Sequence, residues 1–396
     1  MSDLQLLRTL QRVNATGYAR RRPATDTAGG LDLAVGEARY PLPAPVRAEL
    51  TDTVARLDRI WYADPAGELA LRTAYLRHVH AAAPIRPNGA PADSTDAAEL
   101  ADRVLVTAGG KEAAWLAMRY LLHRFGRQGV LAPQPGWEPY QIWAHGLDVP
   151  VLGYHPAVVA ADPQRLRDVV AAARVRPSVL VLNYPHNPTG VSIDQPTMDD
   201  LLAVAADLDL AVVSDEVYRW FAAEPVSAMF APDYDPARHL VVDSTSKWLT
   251  TAGLRVGFLL ADASITGRLT AFRATYASCT SVVDQRLAVQ LLSAPATTAW
   301  LGQVRADVDQ TRDETVKLLV DLGVTVVSHG ALYIWCASAL DPDTQPRDAP
   351  TTVPARLTPG GGFGAAGRVR LCTARAGLDP AAAAAAVRAA LRGADA

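Results

Sequence analysis

Between residues 103 and 290 the chain alternates short, apolar, β-branched runs with longer amphipathic stretches, and no other feature restricts its fold as strongly. A strand that is apolar throughout has to be covered on both faces, which is the pattern of a mostly parallel sheet layered between helices. Strands are predicted at Arg103 to Thr107, Gly129 to Ala132, Val149 to Gly153, Ser178 to Tyr184, Asp209 to Ser214, His239 to Ser244 and Val256 to Ala261. Helices are predicted at about 44–57, 66–83, 110–125, 195–208 and 280–293. The remainder reads as a smaller α+β unit. It has a long segment from Ala299 to Leu322, strands at Val324 to Val327, Leu332 to Cys336 and Arg368 to Cys372, and a terminal helix through the alanines near 380–391. Ala83 to Ala98 and Ser338 to Pro359, rich in Pro, Asp and Thr, read as surface loops.

At 396 residues the chain can form two or three domains and a well-buried core. With 49% hydrophobic and 20% charged residues and a net charge of -3, neither a basic nucleic-acid binder nor a disordered tail protein is expected. Cys279, Cys336 and Cys372 are far apart and form no C-x-x-C pair, so a disulfide framework and a zinc site are both disfavoured and a reducing compartment is the simplest reading. The histidines show no H-x-x-x-H or H-E-x-x-H grouping, which argues against a metal hydrolase. The opening MSDLQLLRTLQRVN lacks a basic region followed by an apolar run, and no apolar stretch reaches transmembrane length. A soluble, cytoplasmic protein with no metal, no nucleic acid and no membrane partner is expected.

Lysine occurs only at Lys111, Lys247 and Lys317 among 38 basic residues, so chemistry needing an amine nucleophile has three candidates. Lys247 ends Ser244-Thr245-Ser246-Lys247 and is followed by Gly253-Leu254-Arg255-Val256-Gly257. A lysine just past a strand, with hydroxyls on one side and glycines plus an arginine on the other, suits a Schiff base beside a phosphate. Nearby cations and partial burial depress its pKa and free the nucleophile. Taken alone, the segment is an exposed lysine in a polar loop. Two further segments change the balance. Asn183-Tyr184-Pro185-His186-Asn187-Pro188-Thr189-Gly190 closes one apolar strand and Ser214-Asp215-Glu216-Val217-Tyr218 the next. Both put polar side chains at carboxyl ends of strands, where open α/β sheets bind ligands. Each is an ordinary turn by itself, but three polar exits in succession are more than turns require.

With these motifs in this order, from about Leu31 to the C-terminus, the chain resembles the fold-type I pyridoxal-phosphate enzymes of the class I/II aminotransferase group. The resemblance implies a fold-type I transferase with pyridoxal 5'-phosphate as cofactor. Its parts would be an N-terminal segment (1–45) joining the small domain, a large cofactor-binding domain (46–290) and a small C-terminal domain (291–396). It implies that Lys247 carries the cofactor as an internal aldimine and that Asp215 faces the pyridine nitrogen. Tyr218 and Asn187 would hydrogen-bond the phenolate oxygen. Gly109-Gly110-Lys111, opening a helix after a strand, would form the phosphate cup with Ser244, Ser246 and Arg255. Lys111 replaces a frequent Thr or Ser and is expected to contribute its backbone. Trp137 would stack on the ring, and Tyr62 would reach the phosphate of a neighbouring subunit in a homodimer with shared active sites. Arg370 would grip the substrate α-carboxylate with its planar fork, while Arg368 is expected at the surface. Gly36 would let the chain pass close above the substrate. His186 either faces substrate or packs at the strand end.

The function implied is transfer of the amino group of a neutral or basic α-amino acid to a 2-oxo acid. A second carboxylate is disfavoured because Thr275 to Gln285 holds Asp284 but no cation. Lyases, cyclases and oxidases of the same fold, similar to 1-aminocyclopropane-carboxylate synthase or capreomycidine synthase, form the alternative, since all begin with α-proton removal by the lysine. A cofactor-binding regulator would carry a DNA-binding domain, for which the stretch before Gly36 leaves too little room. The segment between Cys336 and Gly360 is shorter than in most relatives. Gly360-Gly361-Gly362-Phe363-Gly364 does not stand between a first strand and a helix as a dinucleotide loop would, and reads as a flexible approach to Arg370.

Overall fold

A computed structural model describes residues 30–82, 100–126, 128–338 and 355–392. The loop predicted at Ala83 to Ala98, most of Ser338 to Pro359 and the N-terminal residues lie outside that range. A two-residue strand β1 (Leu31–Asp32) precedes helices Ala44–Ala55 and Leu69–Ala82. The central sheet then takes β2 (Val104–Thr107), β3 (Val130–Pro133), β4 (Val151–Tyr154), β5 (Val179–Asn183), β6 (Ala211–Asp215), β7 (His239–Ser244) and β8 (Gly257–Leu260). Its order is β2-β8-β7-β6-β5-β3-β4, with β8 antiparallel to both neighbours and every other pairing parallel. This is the mostly parallel seven-stranded α/β sheet expected.

Why the strands read as apolar throughout is now visible. Val106, Leu180, Leu182, Val212 and Val241 enter the core on one face. Leu105, Val179, Val181, Val213 and Val242 enter a second core on the other. Helices Leu69–Ala82 and Gln195–Asp207 line the first, and Gly110–Phe125 lines the second. At about 1.5–3 kcal/mol for each fully buried aliphatic side chain, this double burial stabilises the strands at whose ends the site is built.

A smaller sheet contains β9 (Val326–Gly330) and β10 (Tyr333–Ala337), and β11 (Ala355–Arg356) pairs with β1. With β12 (Thr358–Pro359) and β13 (Arg368–Cys372) the four-stranded order is β12-β13-β10-β9, all antiparallel. Helices Pro295–Asp321 and Pro380–Arg392 pack on it through Leu319, Ala383, Ala384 and Val387.

Several expectations are corrected. Ala355–Arg356 and Thr358–Pro359 are strand, not loop; two-residue strands are too short to carry a period. The strand predicted at Val324 to Val327 lies at Val326–Gly330. Gly360–Phe363 is an ordered 3-10 turn that buries Phe363 instead of a flexible approach, and Arg368 is half-buried. Helices Pro139–Gly146, Pro156–Ala161, Arg165–Ala171 and Ala263–Ala277 were not predicted. Among the described residues no helix is long and apolar enough to cross a membrane.

Candidate active site

Strands β5 and β6 end in register, Asn183 beside Asp215, and β7 lies next to them. Asn183 Nδ2 donates to the Asp215 carbonyl (2.9 Å), and its Oδ1 accepts from the Asn187 N–H (3.0 Å), which sets the turn that presents Asn187. The Asp215 carboxylate accepts from Tyr140 Oη (2.5 Å) and, more weakly, from the Val217 N–H (3.4 Å). Burial pushes this carboxyl up to about 6 against the opposing pull of those two bonds. Tyr140 lies in the first turn of helix Pro139–Gly146, edge-on to Trp137 with ring centroids 5.1 Å apart.

At the end of β7, Ser244 caps the short helix Thr245–Trp248 by accepting from the Ser246 N–H, and this turn carries Lys247 out past the sheet edge. Lys247 Nζ donates to the Gly36 carbonyl (2.5 Å) and lies 5.6 Å from the Tyr218 ring centroid. Burial, and next the positive charge of Arg370, push this half-buried amine down to about 8. Gly36 is required here for space: a Cβ would stand 2.5 Å from Tyr333 Oη. Tyr333 Oη in turn bonds Tyr218 Oη (2.7 Å). Arg370, in the middle of β13, donates to Asn187 Oδ1 (2.6 Å) and to the Ala34 carbonyl (2.8 Å). Its guanidinium carbon lies 4.7 Å from the Tyr333 ring centroid and 4.9 Å from that of Phe363.

Across the sheet edge, three glycines allow close approaches, two to side chains and one to backbone, that a Cβ would obstruct. Gly109 has φ +85°, and a Cβ there would meet Arg255 Nη2 at 2.3 Å. One on Gly110 would meet Ser244 Cβ at 3.2 Å, and one on Gly257 the Gly109 carbonyl carbon at 2.3 Å. Arg255, itself at φ +53°, donates to the carbonyls of Ala108 (3.1 Å) and Ala252 (2.9 Å) and lies 3.5 Å from Ser246 Oγ. The N-terminus of helix Gly110–Phe125, two serine hydroxyls and a guanidinium thus surround one spot, an anion cradle. Lys111 Nζ lies 5.4 Å from the Trp137 ring centroid, and burial followed by Arg255 pushes its amine down.

The structure therefore brings together Gly36, Gly109, Gly110, Lys111, Trp137, Asn187, Asp215, Tyr218, Ser244, Ser246, Lys247, Arg255 and Arg370. Tyr62 stands apart, 89% exposed beside the exposed Trp61. His186 is fully buried just past the end of β5, its Nδ1 lies 2.8 Å from Thr189 Oγ1, and burial pushes its ring down to about 3, so that it is neutral. Sequence reasoning missed Tyr140 and Tyr333, whose positions look like those of any core tyrosine.

Residues 28–389 match the family "Aminotransferase class I and II". The chain belongs to this family. Aspartate/prephenate aminotransferase of Thermus thermophilus is 27% identical over 366 residues, 91% of this chain and 89% of the relative. Arginine--pyruvate transaminase of Pseudomonas aeruginosa is 28% identical over 244 residues, 60% and 57% of the two chains. The solved aspartate aminotransferase of Thermus thermophilus with maleate shares the fold, with a TM-score of 0.75 at 23% identity over 96% of this chain and 95% of that one. The protein is a pyridoxal-phosphate-dependent aminotransferase. The donor set fits that cofactor: a low-pKa amine for an aldehyde, a buried carboxylate for a ring nitrogen, a phenol and an amide for a phenolic oxygen, and for the phosphate a cradle that a Cβ on Gly109 would obstruct.

Proposed function

We propose that this aminotransferase takes the amino group of a neutral or basic α-amino acid and passes it to a 2-oxo acid, with Lys247 as covalent anchor and proton carrier. The observation that carries the proposal is that the Lys247 amine lies in one contact cluster with Tyr218, the Gly36 carbonyl and Arg370. Gly109, Gly110 and Lys111 with their amides, Ser244, Ser246 and Arg255 would hold the phosphate. Asp215, Tyr218, Asn187 and Trp137 would hold the ring. Bound pyridoxal phosphate supplies an electron sink that acidifies the substrate's α-C–H bond.

The chain's own residues supply the rest. Arg370 offers its fork to the α-carboxylate, and its bonds to Asn187 and Ala34 fix the plane of that fork before substrate arrives. Lys247 Nζ, when free, takes the α-proton and holds it as an ammonium against the Gly36 carbonyl. Tyr140 keeps the Asp215 carboxylate aimed, and Gly36 keeps the chain close over the substrate. The exposure of Tyr62 and Trp61 supports a homodimer in which Tyr62 completes the partner's phosphate site. The division into 1–45, 46–290 and 291–396 and a cytoplasmic setting belong to the same reading; the described cysteines are all free.

A basic side chain agrees with the relative named arginine--pyruvate transaminase. The Lys111 cation beside Trp137 supports a second reading, an acidic side chain, in line with the relative named aspartate/prephenate aminotransferase. A half-reaction screen of the amino acids, with absorbance of the bound cofactor and mass identification of the 2-oxo acid, separates them. Conversion of neutral and basic amino acids, unchanged in Lys111→Gln, is expected. Conversion of aspartate or glutamate that Lys111→Gln abolishes establishes the second reading, and a cyclised, eliminated or oxidised product refutes transamination.

A further inference from the structure

Tyr333 lies at the start of β10, 1% exposed, with its hydroxyl wedged between the Gly36 α-carbon and Tyr218 Oη. A phenylalanine would fill the same space, so the hydroxyl is the feature that needs a reason. Burying a hydroxyl is unfavourable unless it is hydrogen-bonded, and this one is bonded to Tyr218 Oη. Two facing hydroxyls share one hydrogen. If Tyr218 spends its proton outward on an acceptor in the site, the hydrogen between the two oxygens belongs to Tyr333. A donor 2.7 Å from the Tyr218 oxygen then does two things: it stops the Tyr218 O–H from turning inward, and it polarises that O–H into a better donor. The two rings meet edge to face, their centroids 5.4 Å apart and their planes at 70°, which fixes both phenols in place, and the ring face of Tyr333 packs under Arg370.

We infer that Tyr333 is a positioning residue for the cofactor: its hydroxyl donates to Tyr218 and fixes the direction in which Tyr218 offers its own proton. The inference rests on the reading that Tyr218 meets the phenolic oxygen of pyridoxal phosphate. The charged groups facing Tyr218 are Lys247, Arg370 and Asp215, and replacing the Tyr333 hydroxyl by hydrogen leaves all three in place.

The test is a pH titration of the visible absorbance of bound pyridoxal phosphate in the holoenzyme, which requires no turnover. A hydrogen bond to the phenolic oxygen favours its ionised form and lowers the midpoint. Tyr218→Phe should raise the midpoint by roughly one unit or more. Tyr333→Phe, which keeps the ring and its packing, should raise it by roughly half a unit. The double variant should match Tyr218→Phe alone, because Tyr333 acts through Tyr218. If Tyr218→Phe leaves the midpoint unmoved, the placement of the cofactor on Tyr218 is wrong. If Tyr218→Phe moves it while Tyr333→Phe does not, or if the two shifts add, the site reading stands and the role given to Tyr333 is overturned.

Discussion

Arg219→Met is the substitution whose cost the structure fixes most closely. Arg219 is fully buried and bonds Glu216 Oε2 (3.0 Å) and Asp243 Oδ2 (2.7 Å), whose side chains are 1% and 0% exposed. It also bonds Tyr75 Oη (3.0 Å), which itself donates to Asp243 (3.0 Å). Methionine keeps most of the volume and removes the charge, leaving two buried carboxylates without their cation. Stranding one member of a buried pair costs about 3–5 kcal/mol. Protonating one carboxyl instead sets a ceiling for that charge, since forcing a proton onto a group with a normal pKa near 4 costs about 4 kcal/mol at pH 7. The expected loss is therefore about 4 kcal/mol. The carboxyl that takes the proton has a folded pKa above its unfolded value, so its contribution is intact at low pH and is lost as pH rises through the folded value. Between pH 7 and 5 the variant should thus recover relative to wild type by up to about 1.4 kcal/mol per unit. Urea unfolding of the holoenzyme by tryptophan fluorescence, with the slope checked for constancy, reads both quantities. Adding Asp243→Asn should restore stability instead of lowering it further. A loss under about 1 kcal/mol, or a deficit that stays constant from pH 8 to 5, would refute the argument that this arginine neutralises a buried charge cluster.

Four further outcomes are expected. Capture of pyridoxal phosphate by apoprotein should speed up about tenfold from pH 6 to 7 and level off above about 8, where the depressed Lys247 amine is free, as followed by absorbance. The same shift makes the apoprotein gain stability as pH rises from about 8 towards 10.5, because there the unfolded chain holds a proton that the folded one lacks. Arg370→Lys should raise the amino-acid KM and lower kcat/KM by roughly a hundredfold in steady-state assays, since an ammonium cannot meet both carboxylate oxygens. Gly257→Ala should weaken pyridoxal-phosphate binding by roughly tenfold or more in equilibrium dialysis, because its Cβ would stand 2.3 Å from the Gly109 carbonyl carbon and push the cradle open.

The parts of this molecule that were legible in its sequence share one property: their signal is local. Strands β7 and β13 and helix Gly110–Phe125 lie where they were predicted to the residue, because double-sided burial or a helical period writes itself into consecutive positions. Helix Ala263–Ala277 was missed for the opposite reason: among its buried positions are Thr266 and Arg273, so its inner face carries no clean apolar stripe. The site divides in the same way. Lys247, Asp215, Asn187 and the glycines stand at strand exits whose local composition marks them. Tyr75, Tyr140 and Tyr333 each read as core, yet each gives its hydroxyl to the back of the site, to Asp243, Asp215 and Tyr218 respectively. A buried phenol has to find a partner, and in an aliphatic α/β core polar partners concentrate at the carboxyl edge of the sheet. A tyrosine in an otherwise aliphatic element is therefore a pointer toward that edge, but not a sufficient one. Tyr154 and Tyr184 satisfy the same need on the backbone carbonyls of Val181 and Pro156. What separates the two groups is whether the hydroxyl arrives at a side chain or at a carbonyl, and that is decided by strand order and register, which no single stretch of sequence contains.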